Sequence, residues 1–168
     1  DISNRYWKPI GYNNKYLTEY RDLVNETETK PARVFMGIFD GNNKTIKGLT
    51  NSGYKASGGS FVTNQGNITG YLYGLFSATY KATIKNLNMT DVNIVIDTDN
   101  DSHGVGAIVG VVRGSFKMDN CSVKGNIKGT DGIGGAVGYV YLVDSNHPDL
   151  DRGKTVEFND VSVEADIY

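Results

Sequence analysis

Asp97, Asp99 and Asp101 alternate with Thr98 and Asn100, the spacing at which a loop begins to wrap calcium in oxygen ligands. The rest of that motif is missing. Ser102 stands where the turn needs glycine, and Ile108 where a bidentate glutamate would close the shell. The stretch reads as an acidic surface loop; calcium is the one metal it suggests, and no cofactor is expected. Asp144, Asn146, Asp149 and Asp151 form a second oxygen-rich loop whose spacing fits no single calcium motif. His103 and His147 belong one to each loop, and would share a metal only if the loops converged.

Covalent and acid–base chemistry find little support. A lone cysteine, Cys121, permits neither an internal disulfide nor a Cys-based zinc site. Its position among apolar residues reads as a small core side chain. Two histidines in dissimilar loops assemble no Ser-His-Asp or Cys-His-Asn constellation. Paired carboxylates could cleave a polysaccharide, and Asp40, Asp91, Asp119 and Asp160 are the candidates. Asp40, however, belongs to an Asp-Gly-Asn-Asn turn, Asp160 to a repeated turn position, and Asp91 and Asp119 to different places in the repeat. The chain is expected not to be an enzyme, with a polysaccharide-degrading activity as the less favoured alternative.

Aromatic content points instead to binding. Of 11 tyrosines, Tyr12, Tyr16 and Tyr20, beside Arg21, crowd an N-terminal stretch, and Tyr54, Tyr71 and Tyr73 mark a second. Tyrosine offers a broad contact area with a polar tip at small entropic cost, which suits recognition of protein or sugar. Trp7 is expected to cap an open end of the core.

The elements that must position these residues are repeated strands. Asn86-Leu87-Asn88-Met89 recurs as Asn120-Cys121-Ser122-Val123 and as Asp160-Val161-Ser162-Val163. Each copy puts apolar residues on one face and polar residues on the other. A second element recurs as Tyr73-Gly74-Leu75-Phe76, as Gly106-Ala107-Ile108-Val109-Gly110 and as Gly134-Gly135-Ala136-Val137-Gly138, read as glycine-flanked apolar strands. Thr45-Ile46-Lys47-Gly48-Leu49 is matched by Thr83-Ile84-Lys85-Asn86-Leu87. The copies lie roughly 28 to 40 residues apart, a spacing typical of solenoids. No single copy can bury its apolar face, whereas stacked copies share a continuous core. Asn86, Asn120 and Asp160 would then line up as a ladder. An antiparallel sandwich would have no reason to repeat an asparagine position. The only helical pattern is a short one over 17–24.

Composition agrees. The chain has 21 glycines and 3 prolines, 39% apolar and 21% charged residues, and a formal charge of −2. That balance offers no attraction to nucleic acid, and no apolar run is long enough to span a bilayer as a helix. The length suits a single domain, 1–168. The start at Asp1 and the stop at Tyr168 suggest a domain cut from a larger secreted or surface protein.

Trp7-Lys8-Pro9-Ile10-Gly11, the run from Phe35 to Ile46, Gly74-Leu75-Phe76 and Gly135-Ala136-Val137-Gly138 together resemble bacterial GLUG-motif proteins. The resemblance implies a right-handed parallel β-helix, here of about 3–4 coils by the repeat count above, in an extracellular protein that is secreted or attached to the cell wall. It implies no catalytic residues. Three segments depart from the pattern: Tyr12–Val34, Thr50–Leu72 and Leu142–Lys154. The expectation is an all-β, adhesin-like binding module whose insertions meet a host protein or glycan, with neighbouring domains of the parent chain as further partners. Immunoglobulin is suggested only by the IgA-peptidase-like regions that accompany this family. A structural spacer without a ligand is the rival reading.

Overall fold

The computed structural model describes residues 1–3, 7, 9–11, 34–50, 59–63, 66–96, 102–141 and 154–168, with backbone alone at 59–63, 66–71, 102, 103 and 141. The helical pattern over 17–24 lies outside them.

The described residues are all-β. The strands are β1 (Phe35–Lys47), β2 (Gly59–Thr63), β3 (Gly66–Tyr73), β4 (Phe76–Val95), β5 (Ser102–Gly106), β6 (Val109–Lys128), β7 (Ile133–Gly134), β8 (Val137–Tyr141) and β9 (Val156–Ile167). One sheet runs β1-β4-β6-β8, with β9 also on β6, and a smaller sheet runs β2-β3-β5-β7. Every pairing is parallel except the β2–β3 hairpin, which lies inside the expected second insertion. β8 and β9 therefore form one tier on β6, interrupted at 142–153.

The register explains the repeat. Leu87 lies opposite Cys121 and Cys121 opposite Val161, while Met89, Val123 and Val163 form the next apolar column. Ile94, Ile127 and Ile167 form another. These columns fill the space behind the large sheet, where Phe76, Ile84, Met89, Ile108, Met118 and Ile127 are fully buried. Burying such a side chain contributes about 1.5–3 kcal/mol, so the stacked columns are the main source of stability. A smaller cluster of Leu72, Ala78 and Val111, with Val34 against it, lies apart from this core.

Two sequence expectations need correction. The likeness between Thr45-Ile46 and Thr83-Ile84 is out of register, because Thr45 lies opposite Asn88 and Ile46 opposite Met89. The wide bulge between Asp40 and Lys44 shifts the first tier relative to the second. The glycine-flanked apolar segments are also not strands at their centres. Gly74-Leu75, Ala107-Ile108 and Gly135-Ala136 are bends between the small sheet and the large one. They are apolar because they are buried. Their backbones still stack: Leu75 N–H donates to Ala107 O at 3.0 Å, and Ala107 N–H to Gly135 O at 3.0 Å. Glycine is required just before one of these bends, since a Cβ on Gly106 would run into the carbonyl of Val109 and the backbone of Gly138.

The long strands also turn within their length. Lys81, Asn86 and Asp91 in β4 have φ of 49°, 54° and 53°, and Asn120 in β6 and Asp160 in β9 have φ of 50° and 51°. Left-handed backbone costs an ordinary residue roughly 1–2 kcal/mol, and asparagine and aspartate tolerate it best after glycine. Asn86, Asn120 and Asp160 thus fall at one corner, joined in the first tier by Asn42 and Asn43 at φ of 50° and 56°.

The Asn120→Ala variant, which loses both the tolerated left-handed corner and its amide bonds, is expected to destabilise the fold by about 2 kcal/mol. Asn120→Gly, which keeps the backbone freedom, should cost roughly half as much. Urea denaturation of the two variants separates corner strain from side-chain bonding. Gly106→Ala should cost about 1–3 kcal/mol through overpacking, measured in the same way.

Candidate functional site

The corner asparagines carry an exposed row of side-chain amides. The Asn120 Nδ2 group donates to Asn86 Oδ1 at 2.9 Å and to Asn43 Oδ1 at 3.1 Å. Asn86 Nδ2 donates to Asp40 Oδ1 at 3.0 Å, and the Asn42 N–H reaches the same oxygen at 2.9 Å. β1, β4 and β6 are thereby tied together by side chains as well as by backbone. Further rows run beside this one. Ser122 Oγ donates to Asn88 Oδ1 at 2.8 Å, Asn126 Nδ2 to Asn93 Oδ1 at 3.2 Å, and the Tyr168 hydroxyl to Asn126 Oδ1 at 2.7 Å. The Asn93–Asn126 row was not singled out from sequence, although Asn93-Ile94, Asn126-Ile127 and Asp166-Ile167 carry its signal.

Four lysine–carboxylate pairs lie on the exposed surface. Lys85 lies 3.3 Å from Asp40, Lys47 3.1 Å from Asp91, Lys117 3.6 Å from Asp119 and Lys124 2.8 Å from Glu164. Exposed pairs of this kind add little to stability, but the three that join neighbouring strands, all except Lys117–Asp119 within β6, favour one order of tiers. The amide bond from Asn86, aided by the Asn42 N–H and by Lys85, holds the Asp40 carboxyl below its usual 3.8. Glu164 raises the Lys124 ammonium above its usual 10.5, mainly through their hydrogen bond.

The four candidate carboxylates for glycan chemistry are dispersed over this face. Asp40, Asp91 and Asp119 each face a lysine, and Asp160 occupies the corner row. Register puts Asp40 and Asp119 in one row with Lys85 between them. Cys121 is buried at 2% exposure, its thiol 3.4 Å from the Asp119 carbonyl oxygen, and burial pushes its pKa up. The thiol is a core group in the column of Leu87 and Val161.

Of the expected binding tyrosines, Tyr12, Tyr16, Tyr20 and Tyr54, together with Arg21, lie outside the described residues. Tyr71 is placed in β3 by its backbone. Tyr73 belongs to the buried core at 6% exposure, so its ring packs inward and is not on offer to a ligand. It follows Leu72 at the approach to a buried bend, and that position overrides the binding reading of its residue type. The calcium candidates Asp97, Asp99 and Asp101 also lie outside the described residues. Among the described residues no three His, Cys, Asp or Glu side chains cluster as metal ligands. A shallow cavity of about 10 Å³ is lined by Trp7, Pro9, Leu49, Tyr73, Gly74 and Ile94, room for about one water molecule and not for a sugar ring. Trp7 packs on the core there, and its indole N–H donates to Leu75 O at 3.2 Å.

Parts of two long proteins resemble this chain. Halomucin of Haloquadratum walsbyi is 30% identical over 111 residues, covering 66% of this chain and 1% of that protein. Immunoglobulin A1 protease of Streptococcus sanguinis is 27% identical over 150 residues, covering 74% of this chain and 8% of that protein. The chain thus spans only a small fraction of either relative. No family model matches it, and no solved structure matches it significantly.

Since folding lowers the Asp40 pKa, its stabilising effect is complete above pH 3.8 and fades as pH falls through the lower folded-state value. A carboxyl NMR titration should therefore place the Asp40 midpoint below 3.8. Asn86→Ala, which removes the largest cause, should move that midpoint back up.

Proposed function

We propose that this chain is a parallel β-solenoid, right-handed as its resemblance to GLUG-motif proteins implies, that acts as a non-catalytic extracellular binding module. Its insertions recognise a host protein or a glycan. The observation that carries the reading is the way the tiers keep register across an interruption. On β6, Arg113 pairs with Tyr141 and Phe116 with Val156, so two nearby positions on one strand receive partners from either side of 142–153. A scaffold that closes this way leaves the interrupting sequence available for recognition.

Both relatives carry names of proteins from the cell exterior, one a mucin and the other a protease of an immunoglobulin. They support an extracellular location, secreted or wall-attached, and make immunoglobulin A a reasonable first ligand. The lysine partners of Asp40, Asp91 and Asp119 favour binding over acid–base catalysis. A calcium ion at Asp97, Asp99 and Asp101 remains a subsidiary proposal of the sequence pattern. A spacer role is favoured by one observation, the exposed apolar columns of β9.

The test is a pull-down of the purified chain against host secretions, including immunoglobulin A, beside a glycan array. Short glycine-serine links replacing 12–33 and 51–58 should reduce binding at least about tenfold, with the β-sheet circular dichroism unchanged. Retained binding in both variants would refute recognition by these insertions. Silence of the intact chain in every screen would favour the spacer.

A further inference from the structure

The two ends of the stack differ. At the β1 end the core is closed by Ile2 and Trp7, which pack against it. Lys44 there is exposed and lies opposite Leu87 of the next tier, and a lysine on an edge strand discourages a further strand. At the β9 end nothing comparable is found among the described residues. Phe158, Val163 and Ile167 occupy the columns of Met118, Val123 and Ile127, yet they are 46%, 43% and 45% exposed against 0%, 3% and 0%. Their edge carries no lysine.

The charges on β9 are all of one sign. Glu157, Asp160, Glu164 and Asp166 line the strand, and on its inner side Glu157 faces Lys117 while Glu164 is bound by Lys124. A second copy meeting this edge strand to strand would oppose acid to acid, which is destabilising for residues directly across a pair.

We infer that the β9 edge is a docking surface for one further parallel tier of the parent polypeptide. That tier would have apolar residues over Phe158, Val163 and Ile167 and lysine or arginine opposite Glu157 and Glu164. β6 has this composition: Met118, Val123 and Ile127 in the columns, Lys117 and Lys124 beside them. The surface therefore fits a tier of the β6 type. The inference rests on the solenoid reading above and adds which end extends, in what register and with which charges.

The experiment appends a copy of Ile96–Lys128 after Tyr168, which continues the register because Ile94 and Val95 stack on Ile127 and Lys128, and Ile127 on Ile167. The extended protein should melt roughly 5–10 °C higher, and the amides of β9 and of the appended strand should gain hydrogen-exchange protection. The same extension carrying Lys117→Glu and Lys124→Glu in the appended copy should lose most of the gain. An appended segment that exchanges freely and leaves the melting temperature unchanged, while β4 and β6 stay protected, overturns the docking surface alone. Unprotected β4 and β6 amides in the unextended chain would overturn the solenoid reading with it. Concentration-dependent dimers of the unextended chain, abolished by Val163→Lys, would assign the edge to a second copy and overturn the inference.

Discussion

The left-handed corner at Asn43, Asn86, Asn120 and Asp160 is the constraint on which the other features depend. An extended strand that never turned would leave its apolar face in water. A corner at the same place in each tier lets consecutive strands fold around a shared interior. Left-handed backbone restricts the choice of residue, and the asparagines that tolerate it at Asn43, Asn86 and Asn120 also bond one another across tiers. The conformational cost of turning and the gain from stacking therefore meet in one residue type. The corner keeps asparagine or aspartate in each copy, while one apolar column accepts leucine, cysteine and valine in turn.

Interior and exterior then follow from the corner. Behind it the columns bury leucine, methionine and isoleucine; in front, amides and hydroxyls form rows that run from tier to tier. The lysine–carboxylate pairs lie in those rows. Those that join neighbouring strands contribute more to the order of the tiers than to stability, because an exposed pair gains little over water, whereas like charges brought opposite one another would penalise a wrong pairing. The face facing solvent is thus well occupied by its own hydrogen bonds.

The parallel stacking was legible in the residues because period-two alternation and a repeated asparagine survive in the sequence. The first tier was misaligned because the bulge from Asp40 to Lys44 adds residues at the corner, and a likeness of five residues was easier to see than a displaced one. The bends at Gly74, Ala107 and Gly135 were read as strands because buried bends and buried strands have the same apolar composition. Their conformation is set by contact with neighbouring tiers, which no local pattern reveals. Tyr73 shows the same limit. Its residue type suggests a binding surface, and its position next to a bend places it inside.

The junction between β8 and β9 has a consequence for how such a chain diversifies. Both flanks are anchored on one neighbouring strand within a few residues of each other, so a segment spliced between them begins and ends in almost the same place. The entropy of closing that loop grows only logarithmically, about 0.6 kcal/mol for each doubling of its length. New sequence can therefore be accepted, lengthened or exchanged there with little effect on the scaffold's folding free energy.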